Sequence, residues 1–366
     1  MNKLFITYYG NKTKMRWSGT IDVLLDKFSS LLNTDVPCWV IEPNYPIFYK
    51  KLLVLYSRCF FMGLGVARDR NIMPFVKRKT LKQICKFSHE NDWIMMPGEH
   101  CLDERFPNRH YCCYIDTDFP MTAIYDTNRN KWGYKRYIKQ YDKYTVQSYA
   151  KMDVIFTQNE WTRKSIIERF NIPSDKVYNV GFGVNIVPYD GPKDYSKKLL
   201  LIVLRQFNAK MKGLDILIEA LPIIRKQYPD CKLAVVGNDQ YEDVDGVDCY
   251  VDFPREKTME LFQQSSLYVM PSRCEPNGIT YLEALINKTP FVALNRFAAP
   301  EFSGHGEWSF LCDNESAFCV ADVVCKALSN EARLVKMGLK GQVFVKERYN
   351  WDIVIGEMFN VMDKRR

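Results

Sequence analysis

The sequence predicts an α/β protein made of two doubly wound halves, and three observations carry that expectation. Apolar strands alternate with amphipathic helices through the second half of the chain, the pattern of a parallel sheet wound by helices. The first half shows a similar but less regular order. At 366 residues the chain has room for two domains with complete cores.

Taken in order, strands are expected near residues 3–8, 37–41, 92–96, 111–115 and 153–157. The first lies in the apolar run Met1–Gly10, which is too short for a secretory leader. A helix is expected over Ile21–Leu32. Tyr134, Tyr137, Tyr141 and Tyr144 fall on one stripe with lysines between them. That spacing favours a packed amphipathic helix with a solvated basic face over a nucleic-acid surface. Val187-Pro-Tyr-Asp-Gly-Pro-Lys-Asp-Tyr-Ser196 is rich in turn formers and reads as a hinge over 187–197. Domains 1–186 and 198–348 then lie on either side. Beyond the hinge, Lys198–Leu204 is a strand, and Gly213–Lys226 is a helix with Leu214, Leu217, Ile218, Leu221 and Ile224 on one face. Strand Lys232–Val236, strand Cys249–Phe253, helix Glu256–Gln264 and strand Leu267–Met270 follow.

Composition narrows the class. A chain with 47% hydrophobic and 14% aromatic residues is globular. No uninterrupted apolar run reaches the length of a spanning helix. The 12 cysteines contain no Cys-x-x-Cys pair, which suits thiols kept reduced in a cytoplasm better than disulfides or zinc. Net charge is +8, and residues 50–86 hold ten Lys or Arg against the single acid Asp69. Two apolar runs, Leu52–Tyr56 and Cys59–Ala67, are interleaved with them. Such a stretch is either a buried element with solvated flanks, a basic rim resting on anionic lipid, or a groove for an acidic glycan.

The chemistry gathers at Ser272-Arg-Cys-Glu-Pro-Asn-Gly-Ile-Thr-Tyr-Leu-Glu-Ala-Leu285, where seven residues separate Glu275 from Glu283. Glu275 falls in a strand-to-helix loop and Glu283 in the helix, roughly 9–12 Å apart along the axis. The backbone N–H groups of Asn277, Gly278, Ile279 and Thr280 between them open the helix and form a seat for phosphate. Two carboxylates flanking a phosphate seat suit a nucleotide sugar. Upstream, Leu204-Arg-Gln-Phe-Asn-Ala-Lys-Met-Lys-Gly213 supplies cations that would stabilise a departing diphosphate.

These two stretches resemble the signature of retaining GT-B glycosyltransferases of family 4, the glycosyl transferases group 1 type. The resemblance is clear for the second half and holds by order and spacing in the first. It implies two Rossmann-like domains facing a cleft, with residues 349–366 as a closing helix that crosses back and Trp351 as its apolar anchor. Arg205 and Lys212 would neutralise the donor diphosphate, with Lys210 as a competing candidate. Leu204 replaces the family's Gly before that arginine. Glu275 would bind donor-sugar hydroxyls and Glu283 the ribose. The base would lie near Asn238 and the end of strand Cys249–Phe253. Gly19, in Arg16-Trp-Ser-Gly-Thr20, stands where the family places a Gly-rich loop. Asp116 stands near the family's catalytic-site His or Asp. Asp116-x-Asp118 also looks like the metal motif of a different glycosyltransferase fold, but Arg205 and Lys212 already fill the metal's task, so neither metal nor cofactor is expected. His100 and His110 flank that region as candidate acceptor-side residues.

The implied activity is transfer of a sugar from a UDP-, GDP- or similar donor to a glycan, lipid-linked or other hydroxyl acceptor. The protein would be cytoplasmic, with an anionic membrane surface as a candidate partner through residues 50–86 and no nucleic acid. Rival readings are a phosphorylase, a nucleotide-sugar epimerase, or a non-catalytic binder of sugar nucleotides or lipid surfaces.

Overall fold

The computed structural model describes residues 4–9, 20–41, 88–98, 105–117, 132–204 and 209–365, with single positions 51, 55, 86 and 130. Gly19, His100, Asp118, Arg205 and nearly all of the basic stretch 50–86 lie outside the described residues. The chain forms two compact units, Met1–Gly181 with Val354–Arg366, and Phe182–Ile353.

The first unit runs β1 (Leu4–Tyr9), α1 (Thr20–Leu32), β2 (Cys38–Ile41), β3 (Trp93–Pro97), β4 (His110–Ile115), α2 (Tyr134–Ala150), β5 (Val154–Thr157), α3 (Glu160–Phe170) and β6 (Val177–Asn179). Its strands pair in parallel in the order β2-β1-β3-β4-β5-β6. The apolar runs of β3 to β5 are buried on both faces, as a parallel sheet requires. Ile94, Tyr111, Cys113 and Ile155 from these strands pack with Tyr149, Ile166 and Phe170 from α2 and α3. On α2, Tyr134 and Tyr141 are buried, so this part of the tyrosine stripe is core rather than a binding face. The five expected strands appear within a residue or two. β6 was not expected, because three residues are too few to show a period.

The second unit runs β7 (Leu199–Val203), α4 (Leu214–Gln227), β8 (Lys232–Val236), β9 (Val247–Tyr250), α5 (Arg255–Gln264), β10 (Leu267–Val269), α6 (Ile279–Ile286), β11 (Phe291–Leu294), α7 (Ala299–Phe302), β12 (Phe310–Cys312), α8 (Ala317–Leu328) and α9 (Glu331–Arg348). All strands are parallel in the order β12-β11-β10-β7-β8-β9. Counted within the unit and read from β9, this is the 3-2-1-4-5-6 order of a Rossmann sheet. Its topological switch point lies between β7 and β10, where the loops leaving the two strands diverge and a ligand crevice opens. β9 ends at Tyr250 rather than at Phe253, because Asp252 adopts φ 50°, a left-handed turn that breaks a strand.

Residues 187–197 do not mark the change of unit, which falls between Gly181 and Phe182. That turn-rich strap is fastened to the second unit. The buried Lys193 ammonium donates to the Phe262 carbonyl and to Thr289 Oγ1, both at 2.6 Å. Tyr195 Oη donates to the Lys288 carbonyl at 2.5 Å, and Lys288 Nζ returns a bond to Gly191 O at 2.9 Å. The last helix, α10 (Trp351–Lys364), starts in the second unit and continues into the first. Trp351 is buried, and its Nε1 donates to Asn185 Oδ1 at 2.7 Å. Among the described residues no helix is long and apolar enough to cross a membrane.

Candidate active site

The β7–α4 and β10–α6 loops flank the switch point of the second unit and are cross-tied. Ser272 Oγ and the Arg273 N–H both donate to the Met211 carbonyl, at 3.1 and 2.8 Å. Gly213 has φ 78°, and a Cβ there would lie 2.2 Å from Pro271 O. Both the backbone conformation and the close approach demand glycine. The two loops can therefore meet, and they bring Lys212 onto Glu275.

Lys212 Nζ donates to Glu275 Oε2, and the Gly278 N–H donates to Glu275 Oε1 at 2.9 Å. The Lys212 and Glu275 side chains are only 14% and 15% exposed, which makes their attraction stronger than that of a surface pair. Lys210, the competing cation, has an exposed side chain. Of the two lysines, Lys212 is the one held against Glu275. Gly278, at φ 65°, turns the chain into α6, whose first turn presents the N–H groups of Ile279 and Thr280 at the positive end of the helix dipole. The Gly278 N–H is engaged by Glu275 and so is not open to a ligand in this arrangement. Asn277 lies half-buried in the same loop. The Thr280 hydroxyl accepts from Tyr268 Oη at 2.9 Å inside the core.

Glu283 lies in the second turn of α6 and is 1% exposed. Arg255 Nη2, from the start of α5, stands 3.8 Å from Glu283 Oε1. Sequence reasoning missed Arg255, since nothing in its own neighbourhood marks it. Asn238 follows β8 and closes a turn by accepting the Gln240 N–H at 3.0 Å. The neighbouring Gly237 N–H donates to Tyr250 O at 2.8 Å. Tyr250 and Phe253 form a tilted ring pair at 4.7 Å beside this turn. Burial and the charge of Glu275 push the Cys274 thiol up to about 12, against the opposing pull of Lys212 and Arg296.

In the first unit, Asp116 follows β4 at the carboxyl edge of the sheet. Its carbonyl accepts from Thr162 Oγ1 at 3.2 Å and Asn159 Nδ2 at 3.4 Å, which ties the strand end to the start of α3. Burial, with the Asp116 charge second, raises the Tyr114 phenol well above its ordinary range. Its hydroxyl donates to Gly181 O at 2.7 Å. His110 is the first residue of β4 and stacks on Trp93 with ring centroids 4.9 Å apart, at the opposite end of the strand from Asp116. His110 is therefore a packing residue and not part of the Asp116 site. Among the described residues no group of three or more His, Cys, Asp or Glu is placed to hold a metal.

Two parallel sheets of this order are the fold of the GT-B glycosyltransferases. The glycosyltransferase WaaG, involved in lipopolysaccharide biosynthesis, matches 98% of this chain and 99% of its own with a TM-score of 0.66 at 11% identity. Anabaena HepE, solved in complex with UDP, matches 99% and 100% with a TM-score of 0.67 at 13% identity. Residues 191–343 match the profile of the glycosyl transferases group 1 family. The GDP-mannose-dependent alpha-(1-6)-phosphatidylinositol monomannoside mannosyltransferase of Mycobacterium tuberculosis is 32% identical over 165 residues. That match covers 40% of this chain and 43% of the mannosyltransferase, so the chain spans less than half the length of this relative.

Proposed function

We propose that this protein moves a glycosyl group from a nucleoside-diphosphate sugar to an acceptor hydroxyl with retention at the anomeric carbon. One observation carries the reading: Lys212 and Glu275 meet at the N-terminus of α6, beside the switch point, with Glu283 buried one turn further on. Cleavage of the glycosyl–phosphate bond leaves growing negative charge on the diphosphate. Lys212 and the α6 N-terminus are fixed positive groups against which that charge develops, and Arg205 would join them. Glu275 would take donor-sugar hydroxyls and Glu283 the ribose. Asn238 and the Tyr250–Phe253 pair would meet the base. Asp116 would orient the acceptor hydroxyl or take its proton, and a leaving-phosphate oxygen on the same face would share that task. With Lys212, Arg205 and the α6 dipole set against the diphosphate, the reaction would need no metal.

A thermal-shift panel of UDP, GDP, ADP and their sugars tests the reading. A ligand at 100 times its dissociation constant stabilises by about 2.7 kcal/mol, enough to see. Stabilisation by one nucleotide series, followed by product of unchanged anomeric configuration by NMR, is the expected result. No response to any nucleotide would overturn it. Relatives include the mannosyltransferase named above, which makes a GDP-sugar an early member of the panel, and the UDP bound to HepE makes UDP another.

A further inference from the structure

The β10–α6 loop contains a third charged side chain that the site has not yet used. Arg273 is 22% exposed, and its guanidinium reaches three groups on three other segments. Nη1 and Nη2 donate to Asp215 Oδ1 and Oδ2 at 2.8 and 3.1 Å, a two-pronged bond to the first turn of α4. Nη1 also donates to the Lys210 carbonyl in the β7–α4 loop. Nε donates to Glu315 Oε2 at 3.0 Å, beyond β12, and Glu315 Oε1 in turn accepts from Arg296 Nη1 at 2.9 Å. The backbone of Arg273 meanwhile holds the Met211 carbonyl. One residue thus grips the carbonyls of Lys210 and Met211, the two residues before Lys212, and stands two residues before Glu275.

We propose that Arg273 is a positioning residue that sets the register of Lys212 against Glu275. The inference deepens the proposed function and rests on it for the consequence in turnover, though not for the contact itself. A planar fork with fixed donor directions can hold Asp215, Glu315 and a carbonyl together, whereas an ammonium acts as one point charge. Without the fork, the β7–α4 loop keeps its glycine contact with Pro271 and the two bonds to the Met211 carbonyl, but the Lys210 carbonyl and Asp215 lose the group that fixes them. Lys212 then samples positions off Glu275. Misplacement by about 1 Å is enough to cost on the order of 10²-fold in rate.

The experiment compares wild type, Arg273→Lys and Arg273→Ala by timed acetylation with an N-hydroxysuccinimide ester, read lysine by lysine by peptide mass spectrometry. Lys326 on α8 and Lys340 on α9, both more than half exposed, serve as internal references. Lys212 should be labelled about ten times faster in Arg273→Ala and by an intermediate amount in Arg273→Lys, with the references unchanged. Equal Lys212 rates in all three proteins would overturn the proposal, as would a common rise at every lysine, which reports unfolding rather than register. In the second arm, with UDP, GDP and whichever donor turns over, kcat should fall about 10²-fold in Arg273→Ala while nucleotide affinity changes less than threefold. A loss confined to nucleotide affinity would overturn the proposal. If no nucleotide binds the wild type, the functional reading fails, and the labelling arm still decides the register.

Discussion

The two units build the carboxyl edges of their sheets with different materials. In the second unit, the loops after β7 and β10 are bound to each other by Ser272, the Arg273 backbone and the glycine contact at Gly213, and they enclose a charge pair only 14–15% exposed. In the first unit, the strand end at Asp116 is held through its main-chain carbonyl by Thr162 and Asn159, which fastens the backbone. One edge is a cross-tied electrostatic seat, and the other, among the described residues, a strand tip anchored through the main chain of Asp116. Stabilising a diphosphate that forms in the same place every time needs fixed charge, because reorganising dipoles at the moment of reaction costs rate. Under the proposed function, the Asp116 edge would need only a well-placed proton acceptor.

Breaking the seat should do the most damage. Lys212→Ala should lower kcat/KM by about 10²–10³-fold, as expected for losing a group that stabilises developing charge. Steady-state kinetics on the donor found in the nucleotide panel checks this, and an unaltered rate would remove Lys212 from the site. Glu275→Gln should lose turnover yet still bind the bare nucleoside diphosphate by isothermal titration. EDTA should leave the wild-type rate unchanged, whereas strict dependence on added Mn²⁺ would bring back the Asp116-x-Asp118 metal reading.

Gly213→Ala separates loop contact from charge. A Cβ 2.2 Å from Pro271 O and a positive φ together should cost about 2–3 kcal/mol of stability, visible as a lower urea midpoint. On the other edge, Asp116→Asn should reduce kcat by about 10–10²-fold with nucleotide binding intact, the range of general-base assistance at its lower end. A loss of nucleotide binding instead would place Asp116 in the wrong role.

The smallest expected effect concerns Cys274. Its folded-state pKa is raised to about 12, so its contribution to stability is full below about pH 9 and is lost as pH climbs toward 12. Cys274→Ala should therefore flatten the fall of the urea midpoint between those pH values. An unchanged slope would mean that the thiol is not shielded as its burial implies. The membrane expectation for residues 50–86 has its own check: reversing Lys77, Arg78 and Lys79 to Glu should release the protein from phosphatidylglycerol vesicles at low salt. A wild type that never floats with them would end that expectation.

Local signals in the chain carried far, and contacts across the chain carried the rest. Strand runs such as Leu199–Val203 and the helical face of Leu214, Leu217 and Leu221 announce themselves by period. Glu275 and Glu283 announce themselves by their flanks. The resemblance names Lys212 ahead of Lys210, but its contact with Glu275 was not legible, because it depends on where Gly213 lets the loop touch Pro271. Arg273 finds Asp215 and Glu315 at 58 and 42 residues' distance along the chain, beyond any local pattern. The strap 187–197 misled for the same reason. Its prolines and glycine signal turns truthfully, but the partners of Lys193 lie 69 and 96 residues away. Turn composition says where a chain bends and nothing about what it is fastened to.

The points where the chain enters and leaves the second unit lie side by side. The Val184 N–H donates to the Tyr349 carbonyl at 2.9 Å, Asn185 holds the Trp351 indole, and a Cβ on Gly183 would stand 2.1 Å from the Trp351 ring. In topological terms the second unit is a loop insertion with a closed neck, strung between Gly181 and Val354 of its host. A module of that kind can be lifted out as residues 182–353, or cut internally and rejoined across the neck by a short linker, without crossing its sheet. Fragments that begin at residue 198 discard the strap and one side of the neck, and they leave Phe262 O, Thr289 and Trp351 without the partners that now cover them.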